Sequence, residues 1–124
     1  TITEQEISDI LSNLVTKKAS GPNEISHHML KGTANTLCKP LCILFNRSIQ
    51  ETIYPSCLKL ANVMPLFKKE EKDIPSNYRP ISLISCLGKT MERVVFKHLY
   101  NFFHSNNLIY KNQSGFLPGH STVY

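Results

Sequence analysis

The stretch from Ala61 to Leu83 sets the tightest limit on what this chain can fold into. Val63, Leu66 and Phe67 lie in one apolar run over 61–67, and a second run of β-type residues covers 78–83. Two such runs joined by a polar loop read as an antiparallel hairpin. The loop, Lys68-Lys69-Glu70-Glu71-Lys72-Asp73-Ile74-Pro75-Ser76-Asn77, carries six charged residues. It is too charged to bury and is expected to project from the sheet, mobile without a ligand. Every other periodic segment is helical, so the expected class is α+β.

Thr3 with Glu6 forms a capping-box pattern, and Ile7, Ile10, Leu11, Leu14 and Val15 follow at helical spacing, predicting a first helix over 4–18. Ser20-Gly21-Pro22-Asn23 breaks it, and a short helix is expected at His27–Lys31. Leu37, Leu41, Leu44, Phe45 and Ile49 give the stripe of a longer helix over 35–52, with Pro40 in its first turns. A further helix starts near Ser85 and is expected to turn Leu87, Met91, Val94, Val95, Leu99, Phe102 and Phe103 inward. Lys89, Arg93 and Lys97 form a basic stripe on another of its faces, read as a solvated surface. The stretch from Leu108 to Thr122 is rich in turn formers and aromatic residues and reads as loop.

A chain of 124 residues holds one modest core. It opens on Thr1 with no basic segment leading into an apolar run, so a stretch from within a longer protein is expected, without a presequence. Charged or polar residues interrupt every apolar run, and no membrane span is expected. Residues 1–62 hold six Lys/Arg against five Asp/Glu, whereas 63–124 hold eight against four. The second half is therefore the one suited to a polyanion such as nucleic acid. Cys38, Cys42, Cys57 and Cys86 lack paired metal-site spacing and read as buried thiols of a reducing, intracellular compartment, cytoplasmic or nuclear. His27-His28 reads as a surface pair without a metal partner, and Ser20-Gly21-Pro22 lacks the Lys and Ser/Thr of a phosphate loop.

Four segments, in order, resemble the opening blocks of the reverse transcriptase domain of non-LTR (LINE, jockey-like) retrotransposons. They are Lys18-Ala19-Ser20-Gly21-Pro22-Asn23-Glu24-Ile25; Met64-Pro65-Leu66-Phe67-Lys68-Lys69; Asn77-Tyr78-Arg79-Pro80-Ile81-Ser82-Leu83 leading into Lys89-Thr90-Met91-Glu92-Arg93; and Gln113-Ser114-Gly115-Phe116-Leu117-Pro118-Gly119-His120-Ser121-Thr122. The likeness covers about residues 5–122. Two departures stand out: the family usually has Asp-Gly where this chain has Asn23-Glu24, and Arg where it has Leu117.

The resemblance implies a partial reverse transcriptase domain, with residues 1–60 a helical N-terminal extension and 61–124 part of the fingers of a right-hand polymerase, the palm missing. It implies nucleotide contacts at Lys68, Lys69 and Arg79 and template contacts at Gln113, Gly115 and Phe116. An arginine fork suits phosphate oxygens, lysines act there as point charges, and glycine lets a sugar-phosphate chain approach. The bland alternatives are solvated charges on a surface hairpin and a turn anchored by Phe116 in the core. The family's catalytic aspartates lie beyond the last block, so no catalytic residue, metal ligand or cofactor is expected in this chain. Mg²⁺, an RNA template, a DNA primer and dNTP are expected for the full-length parent, a nucleotidyltransferase; the oligomeric state is left open. The chain would then be inactive alone. Competing readings are a non-catalytic RNA-binding or adaptor module, or a decayed retrotransposon remnant with no selected function.

Overall fold

The N-terminal residues are fixed by side-chain bonds before any helix begins. Asn46 accepts from the Ile2 amide at 2.9 Å and donates to the Ile2 carbonyl at 2.8 Å, seating Ile2 in the core. The structure, a computed structural model, describes residues 1–119. Helix α1 (Glu4–Ser12) starts at the expected capping box: the Glu6 amide donates to the Thr3 hydroxyl at 3.2 Å and the Thr3 amide to the Glu6 carboxylate at 3.0 Å. It ends well short of residue 18. The Asn13 amide and side chain both donate to the Asp9 carbonyl, at 3.2 and 2.8 Å, and the Leu14 amide then turns to the Leu11 carbonyl at 3.2 Å, a tighter closure from which Leu14 reaches the core.

Helix α2 (His27–Gly32) is capped by Ser26, whose hydroxyl accepts from the Met29 amide at 3.2 Å, and α3 (Ala34–Gln50) follows after Thr33. The stripe that α3 buries is Ala34, Leu41, Phe45 and Ser48, with Leu37 partly covered; Leu44 and Ile49, expected inward, are exposed. Helix α1 packs on α3 and α2 around Ile7, Leu11 and Phe45, all fully buried. Burying Phe45 and Leu11 contributes roughly 2–3 kcal/mol each.

Strands β1 (Ala61–Phe67) and β2 (Tyr78–Ile84) form the expected antiparallel hairpin, in a register pairing Phe67 with Tyr78 and Ala61 with Ile84. Pro65 lies directly opposite Pro80. The Lys68 amide donates to the Asn77 carbonyl at 2.8 Å, and counting back in steps of two puts Leu66–Arg79 among the hydrogen-bonded pairs. The two prolines therefore share a non-hydrogen-bonded rung, where an N–H would point away from the partner strand and its loss costs no ladder bond. Val63, Met64, Leu66 and Ile81 remain exposed. The sheet's root is held elsewhere: a Cβ on Gly21 would lie 2.6 Å from Ile84 and Ser85 backbone atoms, so the Ser20–Asn23 turn presses directly on the end of β2 and on Ser85 after it.

Helix α4 (Cys86–Ser105) buries Cys86, Met91 and Val94 in the same core. Leu99, Phe102 and Phe103 do not turn inward as the periodicity suggests; all three are exposed, as is Phe96. Tyr100 instead stacks between Phe96 and His104 on successive turns, with ring centroids 5.8 and 5.9 Å apart. The chain divides into two compact units, Thr1–Val94 and one beginning at Val95. Of the cysteines only Cys86 is buried; Cys38 and Cys42 are half-buried and Cys57 is exposed, which corrects the expectation of four buried thiols. Nor is His27 a surface residue. It is 4% exposed, with Nδ1 3.2 Å from Cys86 Sγ.

Candidate functional site

The hairpin tip is built by its own side chains. Asn77 is buried and its amide donates to the Glu71 carbonyl at 2.8 Å, the Tyr78 hydroxyl donates to the Lys72 carbonyl at 2.9 Å, and a 3-10 turn at Pro75–Asn77 leads back into β2. The loop expected to be mobile is thus tied at both ends by hydrogen bonds. Phe67 and Tyr78 meet edge to face at 5.5 Å, and the Lys72 ammonium stands 5.8 Å from the centre of the Phe67 ring.

That register divides the hairpin's cations. Arg79 is paired with Leu66 and so lies on the face opposite Phe67, Tyr78 and the Lys72 ammonium. Lys69 is 3.4 Å from the Glu70 carboxylate, both exposed. Arg79 and Lys68 are exposed, and neither side chain makes an ion pair or hydrogen bond among the described residues. Two of the three expected nucleotide contacts are therefore uncommitted cations near the loop; the third is already paired, though at the surface such a pair is weak.

The second expected group lies in the unit that begins at Val95. Gln113 closes a turn, its amide donating to the Tyr110 carbonyl at 2.9 Å and its side chain to the Gly115 carbonyl at 2.8 Å. A Cβ on Gly115 would meet nothing within 4 Å, so the fold of the described residues does not itself demand glycine there. Phe116 has φ +63° and is fully exposed, which overturns its reading as a core anchor. Its ring stands in solvent on a backbone in the left-handed region, which bulky residues seldom adopt. The end of the fourth sequence block, His120-Ser121-Thr122, lies outside the described residues.

Over 120 residues the chain is 29% identical to the probable RNA-directed DNA polymerase from transposon BS of Drosophila melanogaster, a match covering 96% of this chain and 13% of that protein. It is 29% identical over 123 residues to the RNA-directed DNA polymerase from mobile element jockey of the same fly, covering 98% of this chain and 13% of the relative. The chain is a relative of retrotransposon RNA-directed DNA polymerases. A third match, to the probable RNA-directed DNA polymerase from transposon X-element, is 27% identical and covers 95% of this chain and 13% of that protein. The chain thus spans about an eighth of the length of these reverse transcriptase relatives. No protein-family model matches it. The resemblance carried by the four sequence blocks is borne out at the level of family likeness.

Sequence reasoning put His27 at the surface, although the three-residue step from His27 to Leu30 already puts both on one face of α2. It also read Lys89 and Arg93 as solvated; Arg93 is exposed as read, but Lys89 is half-buried, and both line a cavity together with His27.

Proposed function

We propose that this chain is part of a retrotransposon reverse transcriptase and acts there in RNA-directed DNA synthesis, as part of the fingers of a right-hand polymerase. Arg79, Lys68 and Lys69 hold the phosphates of the incoming dNTP, and Gln113, Gly115 and Phe116 contact the template strand. The full-length parent works inside the cell, in cytoplasm or nucleus, on an RNA template and a DNA primer. The observation that carries this reading is Arg79, a guanidinium with no ion pair or hydrogen bond among the described residues, on a hairpin whose sequence block resembles the family's, in a chain 29% identical to the jockey polymerase.

Chemically, the planar fork of Arg79 can donate two parallel hydrogen bonds to phosphate oxygens, and Lys68 adds a mobile point charge. Cations aimed at charge that grows during phosphoryl transfer lower the barrier, while those binding substrate and transition state equally lower only KM. The Mg²⁺ of such a reaction does not fit the residues here, since among the described residues no three His, Cys, Asp or Glu side chains come together. No step through metal is assigned to this chain, and the proposal puts those carboxylates in the rest of the parent.

The test is a fusion in which the palm of an active relative follows Thr122, assayed for dNTP incorporation. Arg79→Ala should lower kcat/KM for dNTP about ten- to a hundredfold, the loss of one or two charge-assisted bonds. Arg79→Lys should restore part of it. Arg47→Ala, which removes an exposed helix cation 2.7 Å from Glu51, is the control and should change little. Equal rates for the Arg79 and Arg47 variants, with circular dichroism showing both folded, would remove the nucleotide role.

A further inference from the structure

A cavity of about 120 Å³ opens beside the first turns of α4, within the unit Thr1–Val94. Leu14 and Lys18 line it from the segment after α1, His27 from the start of α2, and Lys89, Thr90 and Arg93 from α4. No acidic residue lines it, and Lys18, Lys89 and Arg93 form no ion pair among the described residues. Three like charges lining one small cavity favour a negative partner there, most of all around the half-buried Lys89. The space would hold roughly four waters. The walls are anchored: His27 Nδ1 lies 3.2 Å from Cys86 Sγ, and the Thr90 hydroxyl donates to the Cys86 carbonyl at 2.9 Å. Lys18 and Arg93 reach solvent, which leaves the mouth open to a long ligand.

We propose that this cavity is a phosphate-binding site, with Lys18, Lys89 and Arg93 donating to the oxygens of one phosphate group over the His27 ring. It is separate from the hairpin and does not depend on the nucleotide role of Arg79. Phosphate suits it better than a carboxylate, because three donors line the cavity, two from α4 and one from the segment after α1, and a tetrahedral anion offers oxygens in as many directions. The group comes either from the backbone of a nucleic-acid strand or from free phosphate; the chemistry recognised is the same.

His27 supplies an internal reporter. Burial disfavours its protonated form, and the charges of Lys89, Lys18 and Arg93 add to this, in that order; a hydrogen bond with the Lys18 backbone opposes them weakly. The Cys86 thiol and Thr90 hydroxyl are the other polar groups beside the ring. A bound phosphate offsets the three cations and so raises the His27 pKa. By linkage a backbone phosphodiester, whose charge is constant here, binds more tightly as pH falls through the His27 titration, whereas inorganic phosphate gains a proton of its own over that range and offsets the gain.

The 124-residue chain is titrated with inorganic phosphate and, separately, with a short single-stranded DNA lacking terminal phosphates. The His27 ring resonances are followed by NMR from about pH 8 to about pH 5, assigned with the His27→Gln variant. Saturable shifts with an upward move of the His27 titration are expected, and Lys18→Ala, Lys89→Ala and Arg93→Ala should each weaken binding about fivefold or more. Lys59→Ala should change it less than about twofold. A response to phosphate alone identifies a free-phosphate site; a response to DNA, with or without phosphate, identifies a strand-backbone site. The proposal is overturned if neither ligand moves the His27 titration, or if the three cavity variants bind like Lys59→Ala. Lys89→Glu, checked for folding by circular dichroism, must abolish the response.

Discussion

Replacing Gly21 with alanine would add a methyl group where the backbone has no room for one. Its Cβ would lie 2.6 Å from the Ile84 carbonyl carbon and oxygen and 2.6 Å from the Ser85 Cα, against an ordinary contact of 3.4–4 Å. All three are main-chain atoms at the junction of β2 and α4, so no side-chain rotation relieves the clash. The turn and the junction must part by roughly 1 Å. Overpacking of that kind costs about 1–3 kcal/mol, and a clash against backbone belongs at the upper end. Alanine also removes conformational freedom from the unfolded chain, which returns about 0.4–1 kcal/mol. The expected net loss is about 2 kcal/mol, or about 8 °C in Tm at the average unfolding entropy of a chain of 124 residues. Thermal melts by circular dichroism would measure it beside Gly32→Ala and Gly115→Ala, whose added Cβ atoms meet nothing within 4 Å. If Gly21→Ala melts with those two controls, the close approach of turn and junction is wrong.

Glu24 holds φ +57°, the residue of the first sequence block where the family usually has Gly. Relief of about 1–2 kcal/mol of left-handed strain, less the entropy glycine brings to the unfolded chain, predicts that Glu24→Gly gains about 0.5–1 kcal/mol in urea unfolding, while Glu24→Ala gains nothing comparable. His27 gives a pH dependence. Its folded pKa lies below the ordinary 6.5, chiefly from burial and then from Lys89, Lys18 and Arg93, so the unfolded chain binds the proton more readily. The stability it contributes is therefore present above about pH 6.5 and is lost as pH falls towards the folded value. Melts in phosphate-free buffer should show Tm falling across that window in the parent chain, with a shallower fall in His27→Gln.

Alternation and charge made the hairpin legible, because strand residues flank a loop too polar to bury and the ladder then fixes the register. The bounds of β1 agree with expectation and β2 gains only Ile84. Helix ends were less visible. Helix α1 ends where the Leu14 amide turns to the Leu11 carbonyl, a closure that apolar periodicity does not register, and the α3 stripe runs through Ser48 rather than Leu44 and Ile49 because a buried hydroxyl counts as polar in any pattern. The Ser48 hydroxyl in fact donates to the Ile53 carbonyl at 2.5 Å, which satisfies it. The outer half of α4 shows the opposite failure: Leu99, Phe102 and Phe103 have core spacing, but spacing alone does not say whether a partner covers them. At the candidate site, Arg79 and Lys68 were legible from their block. The cavity around His27 was not, because Lys18 and His27 are far in sequence from Lys89 and Arg93 and meet them only in the fold.

The Gly21 turn gives the two cationic sites a common support without a common field. Strand β2 carries Arg79 to within one residue of the loop, roughly 17 Å from its root at Ile84 at the rise of an extended strand. This is about twice the Debye length at physiological salt, so a charge at Arg79 is largely screened from the junction where α4 begins. Lys89 and Arg93 stand on the turns that immediately follow the junction, and Lys18 and His27 flank the Gly21 turn pressed against it. Moving the turn must therefore disturb the cavity walls directly, whereas removing the Arg79 charge should leave phosphate binding at His27 unchanged.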